Sequence, residues 1–300
     1  MQPMHIEVAP NRWLAAIHHP PSVRATGRAV LIINPLGQEA MRAHRLLRVL
    51  SDRLARQGVH VLRFDFHGCG DSSGDDLDGE MTGWQDDVLA AHAWLSRQPG
   101  VEAVAWLGIR LGFAIGWLAA SQLREKDAAG SGIFRAPVPD RLVGWDPVVS
   151  GRAYLDDLWT NHQLAIRRAF SLPTVPDRLL KRQQVEVDLS EAMGFALSPV
   201  LVSQIRQLDR QQWEKAPVAE INILLSNGAL PWPHAHRASA VPAFNAGPLR
   251  ASSAPVSRVH VESVDVDFDW TSEEALNTPL VPDQALRRLV PWLSEAAHHG

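Results

Sequence analysis

The sequence predicts an α/β protein with a mostly parallel, doubly wound sheet and a helical cap insertion. Three observations carry that prediction. Short apolar runs alternate with helix-periodic segments over residues 1–150, the alternation breaks over 151–215, and strand-like segments return at Ile221 and Val259. Strands and helices in strict alternation give parallel sheets covered on both faces, with right-handed crossovers.

The elements follow in order. Ile6 to Ala9 and Trp13 to His18 read as a hairpin turned at Pro10-Asn11. Ala29 to Asn34 is a continuous apolar run stopped by Pro35, as expected of a strand buried on both faces. Gln38 to Gln57 has helical spacing in Met41, Leu46, Leu47, Leu50 and Leu54, with Gly58 as its stop. Val59 to Phe66 is the next strand, and the Gly/Asp/Ser-rich stretch from His67 to Gly79 is loop. Trp84 to Arg97 is helical, Val101 to Leu107 a strand, Arg110 to Leu123 a helix and Leu142 to Trp145 a strand. The expected division is 1–150 and 216–300 as core and 151–215 as helical cap. The cap helices are expected at Arg152 to Phe170, Asp177 to Gln183 and Pro199 to Leu208. A long Pro/Ala/Ser-rich loop, 226–258, contains no acidic residue. Loops beyond about 15 residues are uncommon and tend to be lids or disordered. Val259 to Val266 supplies a last strand and Pro282 to Ala297 a last helix.

Composition narrows the function classes. The chain has 300 residues, 46% hydrophobic and 21% charged, with a formal net charge of -4. No long basic run is present, which argues against a nucleic-acid partner. Cys69 is the only cysteine, so an internal disulfide and a cysteine-based zinc site are excluded and a reducing cytoplasm is expected. The first residues lack a basic segment followed by an apolar one, so no signal peptide is expected. Val104 to Ala120 is apolar but interrupted by Arg110 and three glycines, which suits a buried strand and helix rather than a transmembrane segment. Eleven tryptophans read mostly as packing. The paired histidines His18-His19, His234-x-His236 and His298-His299 lack carboxylate partners at useful spacing, so neither metal nor cofactor is assigned.

Gly108-Ile109-Arg110-Leu111-Gly112 joins a predicted strand to a predicted helix. That spacing at that junction marks a nucleophile elbow, a sharp turn that lifts its central residue above the sheet. A plainer reading also fits: Gly108, Gly112 and Gly116, four apart, let a helix pack closely. A guanidinium at the central position has no nucleophilic lone pair, so serine-type acyl transfer there is chemically excluded.

Asn34-Pro35-Leu36-Gly37-Gln38-Glu39-Ala40-Met41-Arg42 and Leu62-Arg63-Phe64-Asp65-Phe66-His67-Gly68-Cys69-Gly70-Asp71-Ser72 resemble the serine aminopeptidase-like branch of α/β-hydrolases. Together with the elbow, Trp145-Asp146-Pro147-Val148-Val149-Ser150-Gly151 resembles the second type of hydrolase-like protein encoded beside bacterial exosortase systems. The resemblance runs over most of the chain and is strongest over 30–151. It implies an α/β-hydrolase fold and a bacterial origin, without a substrate. Carried over by position, it implies one oxyanion-hole amide from the loop holding Leu36 and Gly37 and the other from Leu111. Arg110 stands at the serine position, Ser226-Asn227-Gly228 at the usual acid position, and Asp267-Phe268-Asp269-Trp270 at the usual histidine position. His234, His236 and His260 are further candidates for that histidine.

Other residues could carry chemistry. Ser72 and Ser73 lie in a Gly-Asp-Ser-Ser-Gly turn, read chiefly as loop-shaping. Cys69 shares that loop with His67 and reads chiefly as small filler, though a nearby base would activate it. Ser150 is a third possible nucleophile. Asp146, at the end of the strand beside the elbow, is expected to pair with Arg110. Alternatively, Arg110 faces the pocket and binds a carboxylate or phosphate above the helix N-terminus.

Three functions compete. One is a non-hydrolytic homologue binding a small acidic or acyl ligand, or a protein partner, through the old pocket. A second is an ester, thioester or amide hydrolase with a relocated nucleophile at Cys69, Ser72 or Ser150. A third is a scaffold that docks a partner through 151–215 and 226–258.

Overall fold

The computed structural model describes residues 1–128, 136–169, 189–230, 245–249, 257–268, 270–271 and 281–296. It opens on the expected hairpin, β1 (Gln2–Ala9) and β2 (Arg12–His19), with Asn11 at φ 63° in its turn. Asparagine tolerates that left-handed conformation better than most residues. The alternation then runs β3 (Arg28–Ile33), α1 (Gln38–Ala55), β4 (His60–Phe64), α2 (Met81–Ser96), β5 (Ala103–Ile109), α3 (Leu111–Ala128) and β6 (Arg141–Trp145).

Among the described residues nine strands form one sheet. After the cap come β9 (Glu220–Leu225), β10 (Asn245–Leu249) and β11 (Ser257–Ser263), and the spatial order is β1-β2-β4-β3-β5-β6-β9-β11-β10. The six strands from β4 to β11 pair in parallel, while β1, β2 and β10 join by antiparallel pairing. Side chains alternate across the sheet and divide the core in two. On β5, Val104 and Trp106 belong to the layer shared with α2 and α3; Ala105, Leu107 and Ile109 belong to the layer under α1 and α6 (Asp283–Ser294). That two-sided burial explains why β5 reads as an unbroken apolar run. Trp84, Trp106, Trp117, Trp145 and Trp213 are among the largest fully buried side chains, so much of the tryptophan content is core.

Between β6 and β9 lie α4 (Gly151–Ala169), a two-stranded hairpin of β7 (Glu191–Ala192) and β8 (Phe195–Ala196), α5 (Pro199–Arg206) and a 3-10 turn, Arg210–Trp213. Ser198 caps α5, its Oγ accepting from the Leu201 amide at 3.0 Å, and Pro199 follows at the first helical position. The same Oγ donates to the Gly79 carbonyl at 2.9 Å, which fastens the segment to the loop before α2.

Some expectations are corrected. The 151–215 segment contains strands as well as helices, because the Met193-Gly194 turn, with both residues at positive φ, closes a tight hairpin. Residues 226–258 are not all loop, since β10 pairs with β11 at the sheet edge. Met41, expected on the buried face of α1, is 56% exposed, because the buried stripe runs through Ala43, Leu46, Leu47, Leu50 and Leu54. The predicted helix at 177–183, the segment at 185–188 and residues 234, 236, 269, 298 and 299 lie outside the described residues.

His92 on α2 is buried with both ring nitrogens engaged. The Trp106 indole donates to Nδ1 at 3.0 Å, and Nε2 lies 2.6 Å from the Pro137 carbonyl, so the ring is neutral with its proton on Nε2. Burial lowers its pKa from 6.5 to about 4. The unfolded chain therefore takes up a proton as pH falls below 6.5, while the native state does so only near 4. The contribution of His92 is complete above that window and lost through it, by on the order of 3 kcal/mol in all. In urea denaturation, the stability advantage of wild type over His92→Gln is expected to shrink as pH falls from 7 to 4. A difference independent of pH would refute this.

Candidate functional site

Arg110 sits at the junction of β5 and α3 with φ 51°, a backbone conformation that few side chains adopt. The turn is fixed by main-chain bonds: Arg110 N–H donates to Trp145 C=O at 3.1 Å, and Arg110 C=O accepts from Phe113 and Val148. A Cβ at Gly108 would collide with the Phe113 backbone, and one at Gly112 with the Ile33 and Asn34 carbonyls. The flanking glycines are thus required by close approach of α3 to β5 and β3.

Above the turn, the Arg110 guanidinium meets Glu39. Nε donates to Glu39 Oε1 at 2.9 Å, and the second oxygen, Oε2, accepts from the Tyr154 hydroxyl at 3.0 Å. The guanidinium also lies over the Tyr154 ring, 5.6 Å from its centroid. Glu39 is fully buried. Burial raises its carboxyl above the usual range, and the guanidinium and phenol donors oppose that. For Arg110, burial acts against the charge, but Glu39, Tyr154 and Asp146 together outweigh it and make the group more basic than usual. Burial also pushes the Tyr154 phenol up, and Glu39 adds to the effect.

The expected Arg110–Asp146 ion pair is corrected by this geometry. Arg110 reaches only the Asp146 main-chain oxygen, from Nη1 at 3.3 Å. The Asp146 carboxylate turns the other way, accepting from the Ser226 amide at 2.7 Å and the Trp270 indole N–H at 2.8 Å. Asp146 has φ 46°, so the end of β6 bends sharply and directs the side chain toward β9. Burial raises its carboxyl, and those two donors hold it back.

These groups border a cavity of about 220 Å³ between the elbow, α4 and the segment after β11. Among the described residues lining it there is neither histidine nor cysteine, but three carboxylates are present, on Glu39, Asp146 and Asp157. Among the described residues no cluster of three metal-ligating side chains occurs, and no helix is long and apolar enough to cross a membrane.

The other predicted residues scatter. Leu36 and Gly37 line a different, larger cavity, and Leu111 is fully buried at the start of α3. Cys69 lines the larger cavity too; burial, with Asp65, Asp76 and Asp87 nearby, pushes its thiol up to about 12, which keeps it protonated. Ser72 Oγ donates to the Asp65 carbonyl at 2.6 Å and accepts from the Ala15 amide at 2.9 Å, stitching the loop to β2. Ser150 borders the small cavity and precedes α4, with Oγ 3.4 Å from the Ala153 amide. Asn227 donates to Asp265 and Asp267, and His260 pairs with Glu262 on β11. Sequence reasoning missed Glu39, Tyr154 and Trp270 as site residues. Glu39 had one signal: an acid within the loop-to-helix run Leu36-Gly37-Gln38-Glu39, at the start of an otherwise amphipathic helix.

No family model matches the chain, and no curated protein matches it. Solved structures do. Est1E from Butyrivibrio proteoclasticus, with ferulic acid bound, is similar over 97% of this chain and 98% of its own, with a TM-score of 0.60 and 15% identity. XC6422 from Xanthomonas campestris, described as an α/β serine hydrolase without lid, gives 0.51 and 13% over 99% of this chain and 96% of its own. An esterase from Exiguobacterium antarcticum gives 0.53 and 13% over 98% and 100%. The chain has the α/β-hydrolase fold. At these identities the likeness establishes architecture alone.

Removing one member of the buried pair leaves the other unmatched. Glu39→Ala is expected to destabilise the protein by about 3–5 kcal/mol in urea denaturation. Glu39→Met combined with Arg110→Met is expected to cost clearly less than Glu39→Ala. A double variant as unstable as the single one would show that packing, not charge, is at stake.

Proposed function

We propose that this α/β-hydrolase-fold protein is non-hydrolytic and binds a small acidic or acyl ligand, or a partner, instead of cleaving a bond. The observation that carries the reading is Arg110 at the strand-to-helix turn, its guanidinium engaged by the buried Glu39 carboxylate. A serine there would need a base within hydrogen-bond reach, itself oriented by an acid. Among the described residues lining the elbow cavity no histidine supplies that base, and the Asp146 carboxylate is taken by the Ser226 amide and the Trp270 indole, neither of which can accept a proton. Of the two roles for Arg110, the geometry favours internal neutralisation. Its guanidinium already has the buried Glu39 carboxylate in contact, so it offers no unpaired charge to a ligand there.

The second reading, a hydrolase with a relocated nucleophile, draws support from the esterase neighbours. Against it stand the protonated Cys69 thiol, the Ser72 hydroxyl held by two hydrogen bonds, and the absence of a histidine among the described residues lining the cavity that Ser150 borders.

Mass spectrometry after treatment with a broad fluorophosphonate is expected to find no adduct, while a control hydrolase is labelled. Arg110→Ser is expected to cleave p-nitrophenyl esters no faster than wild type, since no histidine is among the described residues that line the elbow cavity. An adduct on one serine, or wild-type turnover lost on changing Cys69, Ser72 or Ser150, would overturn the proposal.

A further inference from the structure

The larger cavity, about 740 Å³, lies beside the C-terminal ends of β3 and β4, bounded by β1, β2, α1 and the β8–α5 segment. It is not the elbow cavity: neither Arg110 nor Glu39 lines it. Its size falls in the range of about 300–1,000 Å³ typical of small-molecule sites. Its walls are mainly apolar, including Leu36, Met41, Leu47, Phe64 and Phe195. Arg63 on β4 is set into this wall and is only 6% exposed.

The bonding of Arg63 is incomplete. Nη1 reaches the His44 carbonyl at a long 3.5 Å, and Nε is buried without a partner. Among the described residues no carboxylate forms an ion pair with it. Asp65, just past the end of β4, accepts instead from Asn34 and the Asp71 amide. Burial lowers the Arg63 pKa, yet a guanidinium stays protonated in proteins. Asp65 and Asp52 attract the charge without touching it; a buried cation with no carboxylate in contact is costly, and a carboxylate that matches the guanidinium fork offsets that cost.

We infer that this cavity binds an apolar monocarboxylate of the fatty-acid class, its carboxylate on Arg63 and its chain along the Leu36, Met41 and Phe195 side. A single negative charge fits better than a phosphate, because Asp65, Asp71 and Asp76 also border the space. The inference deepens the ligand-binding reading above and rests on it only for the absence of turnover.

The test is titration calorimetry of the full chain with decanoate and with decanol. Decanoate is expected to bind wild type at least about tenfold more tightly than decanol, the scale of a charge-assisted hydrogen bond. Arg63→Met is expected to bring decanoate down to the decanol level and to leave decanol unchanged, while removal of an exposed charge outside the cavity, Arg56→Met, changes neither. Equal affinity for acid and alcohol in wild type, or an Arg63→Met variant that retains the preference, would overturn the inference. So would loss of the preference in Arg56→Met. If Arg63→Met does not fold, carboxyl-labelled decanoate on wild type decides by NMR. Its carbon signal is expected to titrate at lower pH than that of the free acid, and an unshifted titration would refute contact with Arg63. Cleavage of p-nitrophenyl decanoate by wild type would sink the function proposed above without touching these binding measurements.

Discussion

The rest of the site depends on how closely α3 approaches β3 and β5. Gly112 faces the carbonyls of Ile33 and Asn34, and Gly108 faces the Phe113 backbone, with no room for a side chain at either point. Contact this close places the Arg110 backbone in a left-handed conformation and projects its side chain above the sheet. The same approach brings the end of β3 and the start of α1 toward the turn. Glu39, in the first turn of α1, is thereby delivered to the guanidinium. The backbone geometry is that of a turn able to present a reactive group, while the chemistry at its tip is an ion pair.

Burying both charges would be unfavourable without further bonds, since desolvation of each ion must be offset. Here each Glu39 oxygen has a donor, Arg110 Nε on one and the Tyr154 hydroxyl on the other, and Arg110 adds a main-chain acceptor at Asp146. The network thus spans α1, the elbow, the end of β6 and α4. Asp146 belongs to a neighbouring one, tied through Ser226 and Trp270 to β9 and the segment after β11. The two carboxylates, close in space, serve different parts of the frame.

The fold was largely legible because its central strands are buried on both faces and its helices carry one apolar stripe. The unbroken run of β3 and the Leu46, Leu47, Leu50 and Leu54 stripe of α1 are local patterns with one consistent interpretation. The elbow was legible for a similar reason, as two glycines at fixed spacing have a steric cause. The partner of Arg110 was not. Asp146 and Glu39 both end near it, and the choice rests on a positive φ at Asp146 that turns its carboxylate away. Tyr154 and Trp270 come from segments distant in sequence, joined only by the tertiary fold. The β10 edge strand was hidden because its sequence, Asn245 to Leu249, contains Gly247 and Pro248, which read as loop.

Tyr154 is the only tyrosine in the chain, and its hydroxyl is bonded to the buried carboxylate that also holds Arg110. Carbon labelling of the tyrosine ring would therefore give a single resonance from one position. That position lies where α4 meets the core, so the label reports the protonation of Glu39 and the seating of α4 together, in the native sequence. The protein thus carries its own spectroscopic reporter at the centre of its least conventional feature.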